Sequence, residues 1–398
     1  MNPTASWTRG LDRWLEPFLN ALGDKRRRVW APLYVLGLLI PGERKSMQPI
    51  SSRVAPADVE QIHHFVATSP WKTAPLEEVL CHKADEMLGG KSSFLIVDDT
   101  ALPKKGTESV GVVHQYCGAL GKQANCQCLV SLTLARDEVP IPIALRLFMP
   151  KEWTDDRERC DAAKVPDAIS YRPKWQIALD EIDRVREAGV RFGSVLADAG
   201  YGICAEFRQG LTERGLLWAV GIISTQNMYS TNVKLWMPTA SRRGGRPRVY
   251  PKVSPAPVSA EKFIEKHGRF RKVAWREGTK GTLSGSFAIV RVRPADGAEA
   301  SHGVHLPGDP VWLVCERLSN GDKFSLVNLP ASASRQQIVA ALKSRWACEQ
   351  AHQQMKEELG LDHFEGRSWI GLHHHALLTM IAFGFLQQLR LTENKFAA

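Results

Sequence analysis

Two short apolar runs in this 398-residue chain each end in an aspartate, and those two strand ends constrain its fold more than any other feature. Phe94-Leu95-Ile96-Val97 is apolar at every position and too short for a helix, so it reads as a strand buried on both faces. It ends at Asp98-Asp99-Thr100. Phe192 to Ala197 repeats the pattern and delivers Asp198, followed by the turn-forming Gly200-Tyr201-Gly202. Between the two lie predicted strands at Gln127 to Ala135 and Ile141 to Phe148, joined by the turn Arg136-Asp137-Glu138. A helix from Lys174 to Ala188 then stops at Gly189. After Asp198 come a helix from Ala205 to Arg214 and a strand from Leu217 to Ile222. Strands alternating with helices, with acids at the strand ends, predict an α/β core whose site lies beside those ends.

The flanks read differently. Residues 1–90 carry helical apolar spacing in Leu11 to Leu22, Trp30 to Leu39, Val59 to Phe65 and, after Ser69-Pro70, Leu76 to Leu88. They form an expected N-terminal helical domain. Residues 91–222 form the first part of the core, and residues 223–334 a β-rich insertion with strands at Gly285 to Val292, Pro310 to Cys315 and Phe324 to Asn328. Residues 335–398 return to helix. Ser334 to Leu359 is free of Gly and Pro and reads as one long helix, and an amphipathic helix follows from His373 to Leu389.

Charge then sorts these segments. The chain holds 52 Lys+Arg against 42 Asp+Glu, a net charge of +10. Residues 1–90 are almost balanced, with 11 basic and 10 acidic side chains, although Lys25, Arg26, Arg27 and Arg28 make one local run. Residues 231–280 hold 13 basic side chains against Glu261, Glu265 and Glu277, so this window alone matches the net charge of the whole chain. It is rich in Gly and Pro and interleaved with Trp236, Tyr250, Phe263, Phe270 and Trp275. Localised cations among aromatics suit a nucleic-acid backbone and exposed bases; the plain alternative is a solvated loop. Arg242, Arg243, Arg246 and Arg248 are its DNA-binding candidates, and Gly245-Arg246-Pro247-Arg248 is similar to minor-groove arginine hooks.

Several classes are set aside. With 44% apolar and 24% charged residues the chain has a globular balance. The apolar stretch Val29 to Ile40 contains Pro32 and falls short of the roughly 20 residues that span a bilayer, and the N-terminus lacks a signal-peptide core, so a cytosolic protein with no membrane partner is expected. The eight cysteines show no C-x-x-C pair and read as reduced, mostly buried residues. His373-His374-His375 point about 100° apart on a helix and cannot share one ion, so a surface near DNA or solvent is expected for them, as for His63-His64. Patterns for serine or cysteine nucleophiles are missing.

Asp98 and Asp198 are candidates for one metal site, because hard cations take carboxylate oxygens held by rigid elements. Lone strand-end aspartates also cap helices and form turns. On a continuous helix from Ser334 to Leu359, Arg345, Glu349 and Lys356 fall at about 0°, 40° and 20°, with Leu342 at about 60°. That stripe of one acid and two bases suits a metal–phosphate site; Arg345 and Glu349 also suit an ordinary surface ion pair.

Taken together, Val97 to Gly106 (VDDTALPKKG), Leu196 to Gly202 (LADAGYG) and R-x3-E-x6-K from Arg345 through Glu349 to Lys356 resemble the DDE transposases of bacterial insertion sequences, in the group with a Y-R-E-K signature. His114-Gln115-Tyr116, Asn125-Cys126-Gln127, Pro150-Lys151-Glu152-Trp153 and Gly360-Leu361-Asp362 extend the resemblance over about residues 30 to 390. It implies a ribonuclease H-like catalytic core with a β-rich insertion between the second Asp and the Glu. It also implies metal-dependent DNA end cleavage and strand transfer in cut-and-paste transposition. Asp98, Asp198 and Glu349 match the catalytic and metal-binding triad, with Asp99 the rival to Asp98. Arg345 and Lys356 match the signature's basic pair, and Leu342 stands where it has tyrosine.

The implied cofactor is Mg²⁺, two ions, with Mn²⁺ able to substitute. The implied partners are double-stranded DNA, both the element's terminal inverted repeats and its target, and a second copy in a homodimer on DNA, in a bacterial cytoplasm at the nucleoid. Lys104 and Lys105, just after the first acid, are candidate phosphate contacts. The N-terminal helices are expected to read DNA in the major groove. Trp236, Trp275 and Trp346 are candidates to stack on an extruded base. Two rival functions are a non-catalytic DNA-binding regulator derived from a transposase and a ribonuclease H-like nuclease unrelated to mobility.

Overall fold

A computed structural model describes residues 3–237, 250–278, 281–301 and 304–397. Five helices, α1 (Pro3–Leu22), α2 (Arg27–Leu39), α3 (Met47–Val54), α4 (Val59–Ala67) and α5 (Ala74–Leu88), lead into strands β1 (Phe94–Pro103), β2 (Val113–Cys117), β3 (Lys122–Arg136) and β4 (Val139–Leu147). Helices α6 (Lys151–Thr154), α7 (Arg157–Ala162) and α8 (Lys174–Glu187) follow, then β5 (Ser194–Ala197), α9 (Ala199–Gly202), α10 (Ala205–Glu213) and β6 (Trp218–Ile222). The insertion supplies β7 (Asn227–Ser230), β8 (Lys234–Trp236), β9 (Lys252–Ser254), β10 (Val258–Ser259), α11 (Ala260–His267), β11 (Arg271–Gly278) and β12 (Gly281–Pro294). It continues with β13 (Glu299–Ser301), β14 (Val304–His305), β15 (Val311–Arg317) and β16 (Lys323–Val327). The chain ends with α12 (Arg335–Lys343), α13 (Trp346–Glu357), a 3-10 turn at Leu361–His363 and α14 (Trp369–Ala397). The protein is thus a mixed α/β chain.

By compactness the chain forms two units, one of Met1–Gly193 with Trp346–Ala398 and one of Ser194–Arg345. The first is built on β3. Along one edge β3 pairs antiparallel with β1 from Phe94↔Ala135 to Pro103↔Cys126. Along the other it pairs with β2 and then β4. The strands turn at Asp137, whose positive φ of 56° an aspartate tolerates better than most residues. Helix α14 lies on β4 and against α2, α4 and α5. Among the described residues it is the helix long and apolar enough to cross a membrane, but 83% of its apolar window is buried inside the protein. A helix apolar all round is what a core position demands. The α1 side chains Leu11, Trp14, Leu15, Phe18 and Leu22, spaced three and four apart, are buried in the same unit.

In the second unit β5 and β6 run parallel, joined through α9 and α10, as the strand–helix–strand pattern predicts. From β6 the sheet continues antiparallel through β16, β15 and β12 to β7 and β10, with β11 also on β12. The predicted β-rich segment is therefore a sheet extension. Strands β8 and β9 form a separate two-stranded ribbon.

Three expectations need correction. The strand predicted to end at Asp98-Asp99-Thr100 continues to Pro103, because its ladder to β3 is unbroken as far as Cys126, so Asp98 lies inside the strand. The long helix predicted from Ser334 to Leu359 is two helices. Ser334 opens α12 with a capping box to Gln337, but at Ser344 the hydroxyl turns back onto the Ala340 carbonyl at 2.8 Å. The Ser344 N–H is shared between the Ala340 and Ala341 carbonyls, which tightens and ends the turn. Arg345 and Leu342 therefore lie outside the α13 helix that carries Glu349 and Lys356. Only the latter two, seven apart, keep one face.

The histidine triplet is not a surface feature either. The two His374 ring nitrogens lie 2.9 Å from the Val66 and Trp71 carbonyls, to one of which the neutral ring donates, and His375 accepts from the Tyr34 hydroxyl at 2.8 Å while donating to the Gly360 carbonyl at 3.1 Å. His373 meets the Trp369 carbonyl at 2.9 Å. Burial holds each imidazole down at about 4. By contrast His63 and His64 are exposed. All eight cysteines are free thiols, buried except for the half-exposed Cys204.

Candidate active site

Alternation along β1 decides which of the adjacent acids faces which layer. Asp98 stands opposite Ser131 on β3, and directly opposed residues of antiparallel strands project from the same face. The Ser131 and Thr133 hydroxyls lie 3.9 Å and 3.3 Å from the Cys348 thiol of α13. Asp98 therefore projects from the sheet face that α13 covers, and Glu349 is the next residue after Cys348, in the first turn of that helix. Asp98 is only 9% exposed, whereas Glu349 is exposed. One Asp98 oxygen, Oδ1, accepts the Asp99 backbone N–H at 2.8 Å.

Asp99 projects from the opposite face. Its carboxylate meets the Lys174 ammonium at the start of α8, at 2.6 Å. Burial disfavours that ammonium, but the neighbouring Cys128 and Asp99 outweigh it and hold Lys174 above the ordinary lysine range. Lys174 was not singled out in the sequence, since it is 75 residues from its partner and no local spacing links them.

The basic candidates in this unit have distinct environments. Burial pushes the Lys104 ammonium down, partly offset by Asp362 and Glu365, and it donates to the Phe364 carbonyl at 2.6 Å. Lys356, in the last turn of α13, is likewise pushed down by burial and is also offset by Asp362. Lys105 is exposed.

Asp198 belongs to the second unit, where it caps α9 by accepting the Tyr201 N–H at 3.3 Å. Its turn is pressed against β6. A Cβ on Gly202 would lie 2.0 Å from the Gly221 carbonyl oxygen, and one on Gly221 would lie 2.8 Å from the Ala199 nitrogen. Two glycines are what let the backbones touch. Behind the turn, Arg208 is 2% exposed; it donates to the Gly202 carbonyl and, at 2.7 Å, to Asp296 from the end of the insertion's β12 strand. Arg345, half-buried, ends this unit. Arg242, Arg243, Arg246 and Arg248 lie outside the described residues.

Carboxylate oxygens inside a strand, on a helix cap and in a helix turn are the hard donors a divalent cation such as Mg²⁺ takes. Among the described residues, no three His, Cys, Asp or Glu side chains are grouped to hold a metal ion. Asp98 and Glu349 belong to one unit and Asp198 to the other.

The family model described as DDE superfamily endonuclease matches residues 17–282, more than half of the chain. The chain belongs to that superfamily. Its match takes in Asp98 and Asp198 with their motifs and ends before Glu349. Among curated relatives, a probable transposase for the insertion sequence element IS701 of Microchaete diplosiphon is 28% identical over 223 residues. That similarity spans 56% of this chain and 56% of the relative, so the chain matches about half the relative's length.

Proposed function

We propose that this DDE superfamily member is an insertion-sequence transposase that cleaves DNA ends and joins them to a target, in cut-and-paste transposition, with Asp98, Asp198 and Glu349 as its catalytic carboxylates. The observation that carries the reading is the family match, joined to the position of Asp98 on the sheet face covered by the helix that bears Glu349. The core is proposed to be ribonuclease H-like, in keeping with antiparallel strands followed by a parallel strand–helix–strand unit.

When bound, two Mg²⁺ ions, or Mn²⁺ in their place, supply activation of water or a 3′-hydroxyl and charge neutralisation at the leaving oxygen of an in-line displacement at phosphorus. Asp98, held on a rigid strand and shielded from solvent, contributes a carboxylate that cannot swing away. Asp198 contributes one from a turn locked by glycine contacts, and Glu349 one from the first turn of α13. Arg345, Lys356, Lys104 and Lys105, together with Arg242, Arg243, Arg246 and Arg248, are proposed to hold DNA phosphates. Lys104 gives one of its three N–H donors to the Phe364 carbonyl and keeps two for a phosphate. Asp99 is assigned a positioning part through Lys174, on the far face. A homodimer would hold two terminal repeats together.

The test uses purified full-length protein with DNA carrying the element's own terminal repeats, with and without Mg²⁺. Asp198→Asn and Glu349→Gln are expected to bind end DNA as the parent does while losing cleavage and joining. Undiminished cleavage by either variant overturns the triad. Binding without any cleavage by the parent chain favours a regulator, and nicking independent of the ends favours a nuclease unrelated to mobility.

A further inference from the structure

Among the described residues the ribbon β8–β9 lies apart from the main sheet. Among the described residues its strands pack extensively only on each other. Every residue of β8 is exposed, including Leu235 at 42% and Trp236 at 46%, and Met237 beyond it reaches 53%. A lone two-stranded ribbon is marginal in water, and one that also exposes large apolar groups calls for a covering partner. The register tells which side meets it. Lys234 stands opposite Ser254 and Trp236 opposite Lys252, so these four project from one face, while Leu235 and Val253 project from the other. One face therefore presents an indole between two ammonium groups and a hydroxyl.

We propose that this face is a docking surface for duplex DNA, with Lys234 and Lys252 on backbone phosphates and the Trp236 ring against the groove wall between them. Charge complementarity selects the occupant. The ribbon stands in the 231–280 window, whose 13 basic and 3 acidic side chains would repel a second copy of the same face and attract a polyanion. Size agrees, since a two-stranded ribbon is one of the two elements the major groove admits. Cations fix register on phosphates without reading sequence, and an indole ring packed on the sugar–phosphate wall adds apolar contact that is equally blind to sequence. The surface thus binds without sequence preference, a property suited to flanking or target DNA rather than to the terminal repeat. It rests on the DNA-processing reading above and narrows it to four residues.

The experiment measures binding of the full chain to fluorescein-labelled duplex DNA of unrelated sequence across a salt series. Relative to the parent, Lys234→Ala with Lys252→Ala is expected to flatten the log–log salt dependence by about 1.8, two phosphates at about 0.9 each. Trp236→Ala should leave the slope alone and weaken binding about fivefold, as loss of part of one buried apolar side chain does. All three positions are exposed, so circular dichroism should match the parent. If the parent binds and these variants match its affinity and slope, the ribbon assignment is overturned while the DNA reading stands. If the variants bind normally but lose self-association in sedimentation, the face belongs to a second copy and the assignment is equally overturned. Failure of the parent itself to bind duplex DNA overturns both.

Discussion

Removal of the Glu77 carboxylate should cost the first unit about 3 kcal/mol at neutral pH. Glu77 on α5 is 3% exposed, and Arg146 of β4 meets both its oxygens, with Nη1–Oε1 at 2.7 Å and Nη2–Oε2 at 2.5 Å. The Arg146 Nε donates to Glu181 of α8 at 2.7 Å, and Arg184 bonds the other Glu181 oxygen at 2.7 Å. Burial alone would raise the Glu77 carboxyl, but Arg146 and then Arg184 outweigh it and hold it at about 2, against an ordinary 4.5. A shift of that size corresponds to about 3 kcal/mol at 1.36 kcal/mol per unit. The sign follows from the depressed value: the contribution is whole above pH 4.5 and is lost as the pH falls toward 2. Breaking a buried pair from one side costs about 3–5 kcal/mol, and the lower end applies because Arg146 keeps Glu181. The assay is urea unfolding of Glu77→Gln at pH 7 and at the lowest pH where both proteins stay folded. The gap should narrow on acidification, and the double variant Glu77→Leu with Arg146→Met should recover part of the loss. A Glu77→Gln protein within 0.5 kcal/mol (roughly a surface substitution) of the parent at pH 7 refutes the argument.

Three further outcomes are expected. Gly202→Ala should abolish cleavage and lower the melting temperature, because its Cβ would lie 2.0 Å from the Gly221 carbonyl oxygen; parental activity would show that the turn behind Asp198 can yield. Arg208→Met leaves Asp296 buried without its ion pair and should destabilise by about 3–5 kcal/mol, whereas Arg208→Met with Asp296→Leu should be closer to the parent; equal losses in urea would refute the pairing. His374 and His375, held at about 4 by burial, contribute stability that is whole above pH 6.5 and lost as the pH falls through 4, so stability should drop by up to roughly 3 kcal/mol per pH unit near pH 5 for two protons. A flat urea midpoint between pH 6.5 and 5 would contradict it.

The two acid-bearing strands were legible because burial on both faces leaves a local signature. Phe94 to Val97 and Val195 to Ala197 are apolar because little of either run meets solvent; β5 stops at Ala197, just before Asp198, whereas β1 runs on through Asp98 to Pro103, because its ladder to β3 continues past the apolar run. The break at Ser344 was not legible. Neither Gly nor Pro marks it, and the device that ends α12 is a hydroxyl bonding back four residues, which serine can do in any helix. The histidine triplet misled for a related reason. Polar side chains in an apolar helix suggest a surface unless their partners are known, and those partners, Val66, Trp71 and Tyr34, lie some three hundred residues away in sequence. Long-range pairing likewise hid Lys174 and Arg208, because an ion pair between distant segments has no spacing to betray it.

The same contrast bears on how the candidate site is built. Asp98 and Asp99 are chemically identical neighbours, and sequence could only prefer the residue that ends the apolar run. Register separates them, because the period of a strand is two: Asp98 must share the face of Ser131, which touches α13, and Asp99 must take the other, where Lys174 neutralises it. The Asp99 carboxylate is already charge-compensated by an ammonium at 2.6 Å and lies on the sheet face away from α13, so it does not point toward the helix that bears Glu349. Asp99→Asn should therefore disturb the α8 packing and the titration of Lys174 more than metal-dependent cleavage, while Asp98→Asn should remove cleavage with the fold intact. Cleavage retained by Asp98→Asn and lost in Asp99→Asn would reverse the assignment and require β1 to shift by one residue against β3.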